Sequence, residues 1–275
     1  MLAPAPTGVS GDVPALGTLE RWAHDYVVSV DLAYKLAPRP APHALESGAP
    51  VRRIAQPGRP PALARRGRPR KTPGVEALRS PARRAELAHT FLHHELQAAE
   101  LFCWALLAFP DTPAAFRRGL ARIAVDEVRH MGFYADYLGS LGYEVGAFPV
   151  HDWFWERIPA APDPASFVAV MGIGFEGANL DHVARFAERF RAAGDVAGAE
   201  IIERIGHEEL AHVRFAARWF TRFTGGLDFD TWRAALPPPL SPLVLRGKPL
   251  ARAARLRAGL DERFVDALEA WAPEW

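Results

Sequence analysis

Residues 122–135 read RIAVDEVRHMGFYA, and residues 204–217 read RIGHEELAHVRFAA. Laid over each other, the two stretches share Arg122/Arg204, Ile123/Ile205, Glu127/Glu209, His130/His212, Phe133/Phe215 and Ala135/Ala217. Each copy sets a Glu and a His three residues apart, which on a helix places them about 60° apart around the axis and about 4.5 Å along it. Both side chains can then reach one ion. The stripes that carry them are otherwise apolar: Ile123, Glu127, His130 and Tyr134 in one copy, Ile205, Glu209, His212 and Ala216 in the other. A buried charged Glu is costly unless paired, and a dication is a partner that suits both Glu and His.

A single E-x-x-H says little, because 18 Glu and 10 His in 275 residues give roughly two-thirds of one match by chance, so context has to decide. A third match, Glu86-x-x-His89, has no counterpart in the second half and is set aside. The pair at 127/130 and 209/212 differs because its flanks repeat as well.

Outward from these stretches, apolar residues recur at three- and four-residue spacing over 82–108, 113–140, 165–192 and 195–222, as amphipathic helices require. The breaks are FPDTP (109–113), a long stretch at 141–164 and AAGD (192–195), where Pro, Gly and Asp supply turns and caps. Two helix hairpins joined by a long crossover follow, an all-α fold of the ferritin-like four-helix-bundle kind. The expected division is an N-terminal helix with a Pro/Arg-rich extended segment (1–80), the bundle (81–225), and a C-terminal loop and helix packed on it (226–275). Residues 15–36 and 250–272 each read as an amphipathic helix covering the bundle.

A dinuclear site in such a bundle also takes a carboxylate from each of the other two helices. Glu95 shares a face with Leu92, Ala99 and Phe102, and Glu176 shares one with Gly172, Asn179, Leu180 and Val183. Glu95 precedes Glu127 by nearly the interval that separates Glu176 from Glu209, and each is followed five residues on by a second acid, Glu100 and Asp181. The candidate ligands are therefore Glu95, Glu127, His130, Glu176, Glu209 and His212. Ordinary salt-bridge and core-polar roles would explain any one of them alone, but not six in register. Four carboxylates and two imidazoles suit iron or manganese, and the lone Cys103 rules out a thiolate zinc site.

Several neighbours are candidates for supporting the ligands. Asp126 and Glu208 each precede a ligand Glu, where an acid can accept the free N–H of a metal-bound His from the opposite helix. Arg129 can tie these acids together; solvated helix positions are the alternative for all three. Glu100, Asp181 and His93 are placed near the metals, with His89 and His94 crowding the same helix. Packing is favoured for Tyr134 and Tyr137, a small core role for Cys103, and a plug at the bundle end for Trp153, Phe154 and Trp155.

The composition, 49% hydrophobic and 24% charged with a net charge of +1, is that of an ordinary globular chain. No basic and apolar leader pattern opens the sequence, and the longest apolar run, LFCWALLAFP from Leu101, is about half a membrane span. A soluble, cytoplasmic protein with no membrane partner is expected. The charge is unevenly spread, for residues 51–84 hold eleven Lys/Arg and one acid in a Pro- and Gly-rich context. Such a block either grips a nucleic acid or another polyanion, or straps the segment over the acidic body of the same chain. The complementary charge of the rest of the chain favours the strap.

The order Glu, E-x-x-H, Glu, E-x-x-H resembles the ferritin-like di-iron carboxylate superfamily, and DEVRH at 126–130 is similar to the D-E-x-R-H signature of its bacterial monooxygenases. More narrowly, GRP at 58–60, HTFLHHELQAAEL from His89, FPVHDWFWE from Phe148, FEGANLD from Phe175, AGD from Ala193 and HVRFAARWF from His212 resemble the bacterial family catalogued as domain of unknown function 455. That family is distantly similar to the tRNA 2-methylthio-isopentenyladenosine hydroxylase. The resemblance covers about residues 55–260 and departs from the family's E-A-R-G-L-D pattern at EGANLD, with His94 in place of an apolar residue. It implies two iron ions, with manganese or a mixed pair as variants, and O2 as co-substrate. The expected function is an oxidase or hydroxylase of a small organic substrate in an apolar pocket lined by Phe102, Leu106, Ile123, Tyr134, Leu180 and Ile205. The small organic substrate is the expected partner, and an electron-donor protein and a homodimer are both compatible with the sequence. The alternatives are a tRNA or other nucleic-acid hydroxylase using residues 51–84, and a non-catalytic iron-handling protein.

Overall fold

The computed structural model describes residues 13–64, 67 and 72–273, and the regular elements among them are all helical. Thr18 starts helix α1 (Leu19–Val28) by accepting the Arg21 amide on its hydroxyl. The helix expected over 15–36 is two pieces. Ser29 turns into an extended conformation, and Asp31 caps a second helix, α2 (Leu32–Leu36), by accepting the Ala33 amide. The carbonyls that a continuous helix would use are already taken. Gly58 donates its amide to Val27 O at 2.8 Å, and Lys35 folds back to donate to Tyr26 O and Val27 O. Only glycine fits at 58, where a Cβ would sit 2.1 Å from Val28 O.

After a single turn, α3 (Val75–Leu78), come the long rods. Helix α4 (Pro81–Ala108) opens with proline at its first position, where no amide donor is needed, and α5 (Ala114–Ser140) returns from it across FPDTP. Residues 141–163 cross over. Asp163 caps α6 (Pro164–Phe167), which runs directly into a nine-residue π-helical stretch, Val168–Glu176, and then into α7 (Gly177–Ala192). Asp195 caps α8 (Val196–Thr224), which Gly225 ends at φ +85°. The expected rods thus form within two residues of their expected ends, as an all-helical bundle of two hairpins.

Periodicity gave no sign of the π stretch. Its wider turns press against neighbours on two sides: a Cβ at Gly172 would lie 2.2 Å from the Ala216 Cβ of α8, and one at Gly174 would lie 3.0 Å from Leu245. The main packing is α4 on α5, α7 and the π stretch on α8, and α5 across to α8, with α1 laid on α4. Gln97 ties the crossover to α4 by accepting the Phe154 and Trp155 amides on Oε1. Beyond α8, α9 (Phe229–Ala234) hangs Trp232 Nε1 on Ala169 O at 2.9 Å. The helix expected over 250–272 is also broken, into α10 (Arg252–Arg257) and α11 (Glu262–Ala270), by Gly259 at φ +95°. No helix among the described residues is long and apolar enough to cross a membrane.

The described part of the basic block straps the chain to itself. Arg52 pairs with Glu46, Arg53 donates to Ala161 O and Pro162 O, Arg59 pairs with Glu100 and Asp152, and Arg84 pairs with Asp195. Arg65, Arg66, Arg68, Arg70 and Lys71, the centre of the block and of the alternative polyanion contact, lie outside the described residues.

Candidate metal centre

The heptad-like stripes turn both E-x-x-H pairs inward, where α5 and α8 face each other. His130 Nδ1 lies 3.3 Å from Glu127 Oε2 and 3.5 Å from Glu209 Oε1; His212 Nδ1 lies 2.7 Å from Glu209 Oε2 and 3.0 Å from Glu127 Oε1. Each Glu therefore offers one oxygen to each imidazole. Glu95 comes in from α4, its Oε2 3.9 Å from His130 Nδ1, and Glu176 comes in from the end of the π stretch. Donor atoms of Glu95, Glu127, His130 and Glu209 all lie within 4.8 Å of one another, and so do those of Glu127, Glu176, Glu209 and His212. The structure brings all six sequence-selected residues together, as two sets that share Glu127 and Glu209. All six are buried.

Burial on this scale is unfavourable for carboxylates that lack a counter-charge. Burial and the neighbouring carboxylates push Glu95 and Glu176 well above the usual range. Burial pushes Glu127 and Glu209 the same way, yet the two imidazoles outweigh it and hold both low. Burial lowers His130 and His212, and the carboxylates more than reverse that, raising both above the usual imidazole range. Glu176 Oε1 is buried with no hydrogen-bond partner. A pair of divalent cations would replace these protons and give the orphaned oxygen a partner, so the donor set fits such ions.

The outer nitrogens of the imidazoles are held crosswise. His130 Nε2 on α5 lies 3.0 Å from Glu208 Oε2 on α8, and His212 Nε2 on α8 lies 3.4 Å from Asp126 Oδ2 on α5. Arg129 bonds both acids. This arrangement leaves both Nδ1 atoms aimed at the centre, with the tautomer set by the acids behind.

Three expected neighbours turn elsewhere. Five residues along a helix is about 140° around its axis, so Glu100 and Asp181 leave the face that Glu95 and Glu176 occupy. Glu100 is clamped by Lys35, Arg59 and Trp155 Nε1, and Asp181 by Arg255 and the amides of Gly247 and Ala251. His93 also faces away from the cluster, with Nε2 2.8 Å from Asp152 Oδ1 in the crossover. The decoy behaves as one: Glu86 pairs with Arg83, and His89 Nε2 accepts the Gly146 amide. Trp153 and Phe154 pack on Phe175, beside Glu176 and midway along its rod, so they cover the bundle's side at the level of the cluster and not its end. Sequence reasoning put Asn179 on the face of Glu176 without giving it a role; its Nδ2 donates to Glu209 Oε1 at 3.3 Å.

No solved structure matches the chain significantly. A curated protein of Haemophilus influenzae (strain Rd), described as "Uncharacterized protein", is 26% identical over 155 residues, which is 55% of this chain and 54% of that protein. The chain thus spans about half the length of the curated relative it matches. The family described as "Protein of unknown function (DUF455)" matches residues 22–266, nearly the whole chain and all six inward donors, and the protein belongs to that family.

Proposed function

We propose that the cluster is a dinuclear metal centre and that the protein is an oxidase or hydroxylase using O2 on a small organic substrate. The observation that carries this reading is the sharing of Glu127 and Glu209 between two sets of four donors, since a shared pair of carboxylates is how two cations are held side by side. The donor chemistry suits iron, with manganese or a mixed pair within its range. Two ferrous ions would supply electrons for reducing O2, which an electron-donor protein then replaces. The chain's own part is to hold and to exclude. Glu127 and Glu209 fix the spacing of the two positions, and Asp126 and Glu208 fix the imidazoles. Buried Ile123, Tyr134, Leu180 and Ile205 keep bulk water off the cluster. The resemblance of the ligand order to the ferritin-like di-iron carboxylate superfamily supports the same reading.

The nucleic-acid alternative draws less support, because the described arginines of 51–84 are engaged within the chain. The test is anaerobic loading with ferrous iron, metal analysis, and Mössbauer spectroscopy before and after oxygen exposure. The expected result is two irons per chain that oxidise with uptake of O2. Failure to bind iron would sink the centre, whereas iron retained without O2 uptake would leave a non-catalytic metal protein. Binding of tRNA that weakens steeply with salt would shift the substrate to nucleic acid.

A further inference from the structure

The cluster is twofold in its donors but not in its neighbours. Three residues after Glu95 stands Ala98, whereas three residues after Glu176 stands Asn179. The Asn179 amide donates to Glu209 Oε1, the oxygen turned toward His130. Ala98, at the matching place, gives Glu127 no such donor. The shared carboxylates also sit closer to one imidazole than to the other, at 2.7 and 3.0 Å from His212 Nδ1 against 3.3 and 3.5 Å from His130 Nδ1. Glu95 stands on unbroken α-helix, while Glu176 ends the π stretch with Oε1 buried and unbonded.

An amide that occupies one lone pair of a carboxylate oxygen fixes that oxygen's direction and draws off part of its donor strength. Building on the dinuclear reading, we propose that Asn179 is a positioning residue that makes the two cation positions unequal. The first cation takes the position of Glu127, Glu176, Glu209 and His212. The second, at Glu95 and His130, receives a weakened Glu209 oxygen and is the one that exchanges.

The test is titration of the metal-free chain with Mn(II), following free ion by EPR and the bound ion by its mononuclear or exchange-coupled signal. Wild type is expected to show a mononuclear signal up to one equivalent and a coupled signal after it, with affinities about tenfold or more apart. Asn179→Ala is expected to bring the affinities together, so that coupled signal appears from the first additions. Glu95→Ala is expected to keep the tight position and lose the weak one. Equal affinities in wild type, an unchanged gap in Asn179→Ala, or loss of the tight position in Glu95→Ala would each overturn the role of Asn179 while leaving the dinuclear centre standing. No Mn(II) binding by wild type would overturn both.

Discussion

Two kinds of buried acid stand five residues apart on the same helices, and the molecule treats them differently. Glu100 and Asp181 are matched to cations of the chain itself, Lys35 and Arg59 for one and Arg255 for the other, at 2.5–2.7 Å. Burial pushes Glu100 upward, but Lys35 and Arg59 outweigh it and hold the carboxyl below its usual range. Glu95, Glu127, Glu176 and Glu209 are equally buried, and no Lys or Arg among the described residues pairs with any of them. The chain supplies Lys and Arg at the clamps, whereas five residues away it offers the cluster only the two imidazoles, a deficit that fits the cations proposed for it.

The largest expected effect breaks the shared part of the cluster. Glu127→Ala or Glu209→Ala removes an oxygen from both positions at once, so metal content after gel filtration should fall from two ions per chain to none. Glu95→Ala or Glu176→Ala touches one set only and should leave one ion. If Glu127→Ala kept both ions, the two sets would not be one centre. The clamps should answer in stability instead. Asp181→Ala strands the buried Arg255 guanidinium and is expected to cost about 3–5 kcal/mol in urea unfolding. Lys35→Met leaves Glu100 with Arg59 and Trp155 Nε1 and should cost less, about 1–3 kcal/mol. Neither substitution should change the number of ions bound.

The next effect sharpens the contrast through pH. Glu95, Glu176, His130 and His212 hold protons more tightly in the metal-free fold than in the unfolded chain, because burial and neighbouring carboxylates raise the two acids and those carboxylates outweigh burial at the two imidazoles. Stability from such groups is full below their unfolded pKa and declines as pH rises toward the folded value. Glu127 and Glu209 are held low, so their contribution is lost only as pH falls below the ordinary carboxylate range. Below about pH 6.5 burial keeps His93, His94 and His182 less protonated in the fold than in the unfolded chain, which opposes the raised groups. From there to about pH 8 the raised groups govern, and the metal-free chain should lose stability as pH rises. Bound cations stand in place of those protons, so the Tm of loaded over metal-free protein should widen across that window. Each kcal/mol is worth about 2–4 °C at this size. A gap that narrows with rising pH would mean that the cluster does not hold protons in this way.

What the sequence made legible follows from periodicity and repetition. The four rods were readable because their apolar stripes repeat over many turns, and the six donors because one pattern is written twice. The errors lie where a side chain's direction depends on something beyond its own helix. Glu100 and Asp181 look like cluster residues in a linear pattern, but their partners, Lys35 and Arg255, come from the two distant flanks of the chain. The split of the helix expected over 15–36 rests on Gly58 and Lys35 arriving at the end of α1, which no local propensity reports. The π stretch is equally silent, since Gly172 and Gly174 signal close approach only once α8 and Leu245 are in place.

The smallest effects belong to the crosswise acids, and their direction is the informative part. Asp126 lies on α5 but holds His212 of α8, and Glu208 lies on α8 but holds His130 of α5. Asp126→Ala should therefore weaken the position of Glu176 and His212, and Glu208→Ala the position of Glu95 and His130, by about tenfold each. The shorter contact, 3.0 Å at Glu208 against 3.4 Å at Asp126, gives Glu208→Ala the larger change. Arg129 bonds both acids from a side chain that is 43% exposed, where solvent screens the pairing, so Arg129→Met should move either affinity by less than about threefold. Mn(II) titration of the three variants reads all of these shifts. If each acid affected the position on its own helix instead, the imidazoles would take their orientation from the helix that carries them and not from the acid facing them across the bundle.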